Sequence, residues 1–128
     1  KIDSRSSRIC RGAKMISQKH IKDSERKYVK IVNCSGFAQR IAGSGCGQFG
    51  VCDVISVEDG QVYLDEVKST SQEKLTVDTK MKEQLQKLID TAKANPPVKS
   101  RLVIHWKRRG WQIINLDEIP KSPIVIKV

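Results

Sequence analysis

The pattern of apolar and polar positions contains two segments with helical periodicity. An apolar stripe in line with Glu25 predicts a first helix over about residues 23–33, and a second stripe predicts a helix over residues 78–94. Polar residues 69–74, between these helices, predict a loop. The inward position of Glu25 leaves two interpretations open, a functional acid or a first-turn acid that complements the helix dipole. The predicted buried face of the second helix consists of Met81, Leu85, Leu88, Ile89 and Ala92.

Other segments have the composition of strands. A short strand is predicted over residues 37–41. Residues 54–65 predict two strands joined by the turn Glu58-Asp59-Gly60-Gln61, because Asp-Gly is a strong hairpin signal. A second hairpin is predicted over residues 101–116, and residues 124–128 are apolar enough for a last strand or for a dimer contact.

Candidate chemistry lies at the end of the first predicted hairpin. Glu66 and Lys68 are two positions apart, so on a strand their side chains leave the same face, while Val67 points into the opposite layer. Folding the hairpin brings Asp53 beside Glu66. Two carboxylates and a lysine are able to hold a divalent metal, neutralise a phosphate and orient a water. Phosphodiester hydrolysis requires these three tasks. The alternative is a structural salt bridge between the acids and Lys68.

Composition and charge narrow the class of protein. The chain has 128 residues and is 38% apolar, which is enough for one domain with a core and too short for two. Lys and Arg outnumber Asp and Glu by 24 to 14, and the net charge of +10 favours a polyanionic partner, first of all nucleic acid. Residues 1–20 predict a basic N-terminal arm, disordered or in contact with a DNA backbone, and residues 21–128 a single domain. No apolar run approaches the roughly 18 residues of a membrane helix, so a soluble protein without a membrane partner is expected.

Two further segments suit phosphate contacts. The glycine-rich residues 43–50 predict a loop that approaches a backbone phosphate, or a simple connector. The turn of the second hairpin carries the adjacent cations Lys107, Arg108 and Arg109, which suit a phosphate contact or a solvated turn equally well. The four cysteines lack CxxC spacing, so reduced thiols are favoured over a zinc site.

A composite set of motifs resembles the archaeal-type Holliday junction resolvases (Hjc-like), which belong to the PD-(D/E)xK nuclease superfamily. The resemblance runs from about residue 22 to residue 115 and is far more specific than the Glu-x-Lys triplet alone. The matching motifs are Ser24-Glu25-Arg26, Gly36-Phe37, Arg40, Gly43-Ser44-Gly45, Asp53-Val54, Glu66-Val67-Lys68-Ser69-Thr70 and Gly110-Trp111. One departure is Cys52, where the family pattern has proline before the aspartate.

The resemblance implies an α/β, restriction-endonuclease-like fold, with a central mixed β-sheet flanked by helices. It implies a Mg2+-dependent endonuclease, for which Mn2+ substitutes, that resolves four-way (Holliday) junctions in branched double-stranded DNA. A homodimer would present two active sites to the junction. The protein would work on DNA inside the cell, in the cytoplasm of a prokaryotic or virus-infected cell.

The resemblance also implies roles for single residues. Asp53 and Glu66 match the metal-binding carboxylates, and Lys68 matches the residue that positions water and phosphate. Glu25 matches a helix glutamate that completes the metal shell, and the backbone carbonyl of Val67 would be a further ligand. The residues implied in DNA binding are Arg26, Arg40 and Ser44, in addition to the cations of the second hairpin turn.

Two other functions remain open at this point. The nearer is a PD-(D/E)xK nuclease of different DNA specificity, such as a repair, flap or restriction-like enzyme. The more distant is a binding module that keeps the fold without activity. The intact set of Asp53, Glu66 and Lys68 argues against the second.

Overall fold

A computed structural model describes residues 13–41 and 50–127, with side chains described from residue 23 onward. The elements are α1 (Ala13–Asn33), β1 (Phe37–Arg40), β2 (Val54–Glu58), β3 (Gln61–Thr70), β4 (Lys74–Leu75), α2 (Thr79–Ala94), β5 (Lys99–Trp106), β6 (Gly110–Leu116) and β7 (Ile124–Val125). Ser44 and nearly all of the glycine-rich loop lie outside the described residues, as do residues 1–12 of the predicted arm.

Five strands form one mixed sheet in the order β1-β2-β3-β5-β6. The β3 and β5 strands are parallel and joined through α2, whereas the other neighbouring pairs are antiparallel. A parallel pair requires a long crossover connection, which here is the helix between the two strands. The expected mixed sheet with flanking helices is confirmed.

The first helix begins about ten residues earlier than its apolar stripe predicts. It runs over Ala13–Asn33 and so includes the last part of the predicted arm, residues 13–20. These residues contain neither Gly nor Pro, and the long polar side chains among them favour a helix without marking a buried face. The helix ends before Gly36, where an added Cβ would overlap the carbonyl oxygen of Val57, so this close approach requires glycine.

The predicted first hairpin is confirmed together with its turn. The β2 and β3 strands pair from Val54 opposite Asp65 to Glu58 opposite Gln61. Asp59 and Gly60 have φ angles of 51° and 78°. Two consecutive residues with positive φ form the type of turn whose twist matches that of the strands it joins. The second hairpin, β5 with β6, is confirmed as well.

Helix α2 follows its predicted pattern closely. Asp78 is its N-cap, and the Asp78 side chain accepts a hydrogen bond of 2.8 Å from the backbone N–H of Met81. All five residues of the predicted buried face are buried. All of them except Ala92 belong to one apolar cluster with Leu102, Ile104 and other residues of one sheet face.

The opposite sheet face packs against α1. Tyr28 and Val32 of this helix meet Val54, Val67 and Val103 of the sheet in a second apolar cluster. Alternation along the strands therefore assigns odd-numbered residues of β3 to the α1 side and even-numbered ones to the α2 side. The prediction that Val67 leaves Glu66 and Lys68 for the opposite layer is confirmed.

Residues 69–74 are predicted to be a loop, but both ends of this segment lie in strands. The β3 strand continues to Thr70, and the short strand β4 pairs antiparallel with β7 in a second sheet. Residues 124–125 thus form a strand within the chain, one of the two roles expected for them. No helix within the described part of the chain is both long and apolar enough to cross a membrane.

Candidate active site

Asp53 lies at the point where the pairing of β2 with β3 ends. The last paired residues are Val54 and Asp65, so Asp53 stands opposite Glu66. The Asp53 backbone N–H donates to the Asp65 carbonyl at 3.0 Å. Its carboxylate Oδ2 accepts the backbone N–H of Val67 at 2.9 Å. The Asp53 carboxylate thus accepts a backbone hydrogen bond from β3, as a carbonyl of a paired strand would. This contact holds the side chain at the end of the β2–β3 pairing.

Glu66 and Lys68 leave the same face of β3 and meet each other. The Lys68 ammonium lies 3.3 Å from Glu66 Oε2. The Glu66 side chain is 9% exposed, whereas that of Lys68 is 28% exposed. The expected cluster of two acids and one amine therefore forms, with a buried acid and a lysine open to solvent.

Burial and charge act together on Glu66. Loss of hydration raises the pKa of Glu66, and the neighbouring negative charge of Asp53 raises it further, because both disfavour the ionised carboxylate. The cation of Lys68 acts in the opposite direction, and the resulting pKa is about 7. Hydrogen bonding with the Asp53 side chain makes a smaller contribution in the same upward direction. A carboxyl with this pKa is poised between its neutral and ionised forms near neutral pH.

Gln84 reaches the candidate site from α2. Its place beside the apolar stripe favours an ordinary surface glutamine and leaves open a side chain that points toward the site. It projects from α2, is half-buried, and its Oε1 accepts a hydrogen bond of 2.9 Å from Lys68 Nζ. The only signal in the sequence is that Gln84 lies next to the apolar stripe of the helix. That signal does not specify a partner on β3.

Glu25 is buried on α1, as its spacing predicts. It is 5% exposed, and its Oε1 accepts a hydrogen bond from Arg40 Nε at 2.9 Å. The neighbouring Ser24 Oγ lies 3.0 Å from His105 Nδ1, a contact that ties this part of α1 to the sheet. Arg40, expected at a DNA phosphate, is therefore the ionic partner of Glu25, and its side chain remains 26% exposed.

A buried polar network supports the opposite face of the same strands. Asp65 is fully buried and accepts hydrogen bonds from Tyr28 at 2.8 Å and from Arg101 Nε at 2.9 Å. Arg101 also donates to Ser56 and to Glu58, each at 2.8 Å. Because Asp65 lies directly before Glu66, this network holds β2, β3 and β5 in register beneath the candidate site.

The predicted DNA-binding cations lie on different elements. Arg26 is exposed on α1, 3.7 Å from Asp23. The turn after β5 carries the three adjacent cations, and Arg109 is 3.1 Å from Glu73. Arg108 has a φ of 66°, a left-handed backbone in which a bulky residue is uncommon. The structure thus places these cations on the surface and gives Arg109 an acidic partner.

The acidic pair suits an oxygen-seeking divalent cation. Among the described residues no group of three or more His, Cys, Asp and Glu side chains is arranged around one point. The negative charge of Asp53 nevertheless acts on Glu66 and raises its pKa, and a cation bound by both acids would relieve this repulsion. Mg2+ is commonly held by one or two carboxylates and keeps several waters, so this donor set fits it.

The cysteines that are described do not contribute ligands. Cys34 is exposed and Cys52 is buried, and both are free thiols. Burial raises the pKa of Cys52 to about 12, with further increases from Asp53, Asp65 and Glu66. Cys52, in place of the family's proline, is thus a protonated core residue. Cys10 and Cys46 lie outside the described residues.

The acids of the site do not line the depression of about 300 Å³ on this protein. That depression lies where Lys93 at the end of α2 approaches Lys99 and Asn115, and none of its lining residues is an acid of the site.

Comparisons with known proteins agree with this fold. Residues 17–127 match the family model described as archaeal Holliday junction resolvase (Hjc). The 1.6 Å resolution structure of Hjc from Archaeoglobus fulgidus, an archaeal hyperthermophile, is similar with a TM-score of 0.66 and 18% identity, over 79% of this chain and 83% of that one. At this identity the likeness shows the fold. No curated protein matches the chain.

Proposed function

The chain belongs to the archaeal Holliday junction resolvase family, and on this premise we propose that it is a magnesium-dependent endonuclease whose catalytic centre is Asp53, Glu66 and Lys68. Resolution of four-way DNA junctions is the function that the family supports. The single observation that carries the assignment of the centre is the register of β2 and β3, which places Asp53 opposite Glu66, with the Lys68 ammonium 3.3 Å from Glu66 Oε2.

Asp53 and Glu66 would hold the divalent cation. The backbone of Asp53 is held by the Asp65 carbonyl, and its carboxylate by the N–H of Val67, so little reorganisation is needed at this acid. The family resemblance adds the backbone carbonyl of Val67. When bound, Mg2+ supplies the Lewis acidity that phosphodiester hydrolysis requires. Mn2+ takes similar oxygen ligands and is expected to substitute.

Lys68 is proposed to contact the substrate phosphate or the attacking water. Its ammonium has three N–H donors, and the contacts with Gln84 and Glu66 leave capacity for a phosphate oxygen or an attacking water. At 28% side-chain exposure it is accessible to DNA while remaining anchored. We assign it to stabilising charge on the phosphate and orienting the nucleophile.

Glu25 and Arg40 are proposed to act as a pair. Glu25, which the resemblance places in the metal shell directly or through water, forms an ion pair with the Arg40 guanidinium. Arg40 uses Nε for this contact and has further N–H groups for a DNA phosphate. Because no group of three acids forms among the described residues, the role of Glu25 toward the metal is proposed to be through water.

The remaining cations would bind the DNA backbone. Arg26, Lys107, Arg108 and Arg109 are proposed to contact phosphates, together with Ser44 and the basic residues 1–20. A net charge of +10 supports this, since displacement of counterions from DNA favours association with basic proteins. A homodimer with one catalytic centre in each copy would match the two-fold symmetry of a four-way junction.

The proposal is tested with a fixed synthetic four-way junction in Mg2+, beside flap, nicked and linear duplexes of matched sequence. We expect the wild type to convert the junction into symmetrically nicked duplexes, and Glu66→Gln to leave it uncut. Absence of cutting on every substrate would reject the nuclease. Preferential cutting of a flap or a linear duplex would instead assign the chain to a nuclease of other specificity.

A further inference from the structure

We propose that Gln84 is a positioning residue that orients the Lys68 ammonium toward the phosphate. This inference rests on the proposed function, because it assigns Gln84 a task within the same centre. Gln84 lies on α2 and Lys68 on β3, sixteen positions apart in the chain. Their contact therefore arises from the packing of the helix on the sheet.

The position of Gln84 is determined by the core. Its neighbours Met81, Leu85 and Leu88 are buried, and Leu85 and Leu88 are completely so. They fix the rotation of α2 about its axis and hence the direction in which Gln84 leaves the helix. Its half-buried side chain is consequently aimed at the edge of the buried face and not at bulk solvent.

Lys68 lies between two acceptors of different character. Gln84 Oε1 is 2.9 Å from the ammonium, and Glu66 Oε2 is 3.3 Å away. A lysine side chain has four rotatable bonds, so a single acidic neighbour leaves its ammonium free to move around that acid. The second acceptor restricts the ammonium to one direction and leaves its remaining donor capacity facing solvent.

A neutral amide suits this task better than an acid. The amide oxygen accepts a hydrogen bond without adding negative charge beside Asp53 and Glu66. A third carboxylate at this position would oppose the approach of a phosphate. Gln84 thus orients Lys68 without offsetting the positive charge that Lys68 presents to DNA.

The decisive variant is Gln84→Met, which keeps the length and helix propensity of the side chain but removes its acceptor. Loss of a partner that orients an active-site group typically costs about 10–100-fold in activity. We expect the single-turnover rate of junction cleavage to fall by about 10-fold or more on this basis. The Kd for the junction in Ca2+ should be unchanged, because Gln84 contacts Lys68 and not DNA.

Gln86→Met is the matched control on the same helix. Gln86 is exposed, and its amide donates to Asp90, one turn further along α2. This variant should cut at the wild-type rate. Gln84→Glu retains an acceptor oxygen at the same reach and should cut faster than Gln84→Met, although more slowly than the wild type.

The outcomes separate the two proposals. If neither the wild type nor Gln86→Met cuts any DNA, the proposed function is rejected. If both cut and Gln84→Met cuts at their rate, the role of Gln84 alone is rejected. The role of Gln84 would also be rejected if Gln84→Met and Gln84→Glu lowered the cleavage rate equally, or if either variant bound the junction more weakly. Both results would indicate a changed helix surface and not a missing acceptor.

Discussion

The Oδ2 atom of Asp53 accepts the backbone N–H of Val67 at 2.9 Å and so holds this acid opposite Glu66, at the end of the β2–β3 pairing. Burial of Glu66 and the negative charge of Asp53 both disfavour the ionised form of Glu66, so the pKa of Glu66 is raised to about 7. The metal-free fold is thus stabilised by a proton at the position where a divalent cation would otherwise compensate the charge.

The stability of the metal-free protein should fall as the pH rises from about 4.5 to about 7. The pKa of Glu66 is raised above its ordinary value of 4.5, so in this window the folded state holds a proton that the unfolded chain has released. This contribution is fully present below pH 4.5 and is lost as the pH rises through the folded-state pKa. Its size is on the order of 1–3 kcal/mol. Urea unfolding in EDTA across this range measures it.

Glu66→Gln supplies the comparison for this pH dependence. An amide does not titrate, so the difference in unfolding free energy between wild type and variant should shift in favour of the variant as the pH rises. A constant difference across the window would contradict the raised pKa of Glu66.

Asp53→Asn should abolish cleavage and leave junction binding intact or stronger. The change removes one metal-binding carboxylate, for which we expect activity to fall by at least about 100-fold, and it removes a negative charge that repels phosphate. Gel-shift titration in Ca2+ measures binding separately from cleavage in Mg2+. Asp117→Asn, at an exposed acid after β6, is the control and should cut normally. Wild-type cleavage by Asp53→Asn would show that the centre is misassigned.

Arg101→Met should destabilise the fold by about 3–5 kcal/mol, since it leaves the buried carboxylate of Asp65 without its cation. Removing both charges, in Asp65→Leu with Arg101→Met, should cost less than the sum of the two single changes. Glu58 is the more exposed partner of Arg101, with a side chain that is 30% exposed. Glu58→Gln should therefore cost about 1 kcal/mol or less. Urea unfolding gives all four values. Strict additivity would contradict a coupled network.

Lys107→Gln and Arg108→Gln should each lower the salt dependence of junction binding. The slope of log K against log salt concentration falls by about 0.9 for each phosphate that the protein no longer neutralises. Lys99→Gln is the control, because Lys99 is exposed at the opposite end of β5 from this turn. Binding titrations at several salt concentrations give the slopes. Equal slopes for wild type and turn variants would place this turn away from the DNA.

Much of the fold and the centre of the site follow from local patterns. The two-residue periodicity of β3 and the Asp59-Gly60 turn specify the register of the first hairpin, and the register places Asp53 opposite Glu66. The apolar stripe of α2 likewise specifies the five residues that it buries. The hairpin register and the buried face of α2 depend on residues that are close together in the chain. The backbone geometry of a strand, a turn or a helix is therefore enough to predict them from the sequence.

Tertiary structure alone decided which distant side chains meet. Arg40 pairs with Glu25, a partner that its sequence position does not reveal. Gln84 has the pattern of a surface residue but accepts a hydrogen bond from Lys68, and Lys74, at the end of the predicted loop, belongs to β4 and pairs with β7. Each of these contacts joins separate elements, so it depends on how helices pack on the sheet and on which burial and charge pairings that packing permits. Periodicity identifies the face on which a residue lies, whereas packing determines the partner that it finds there.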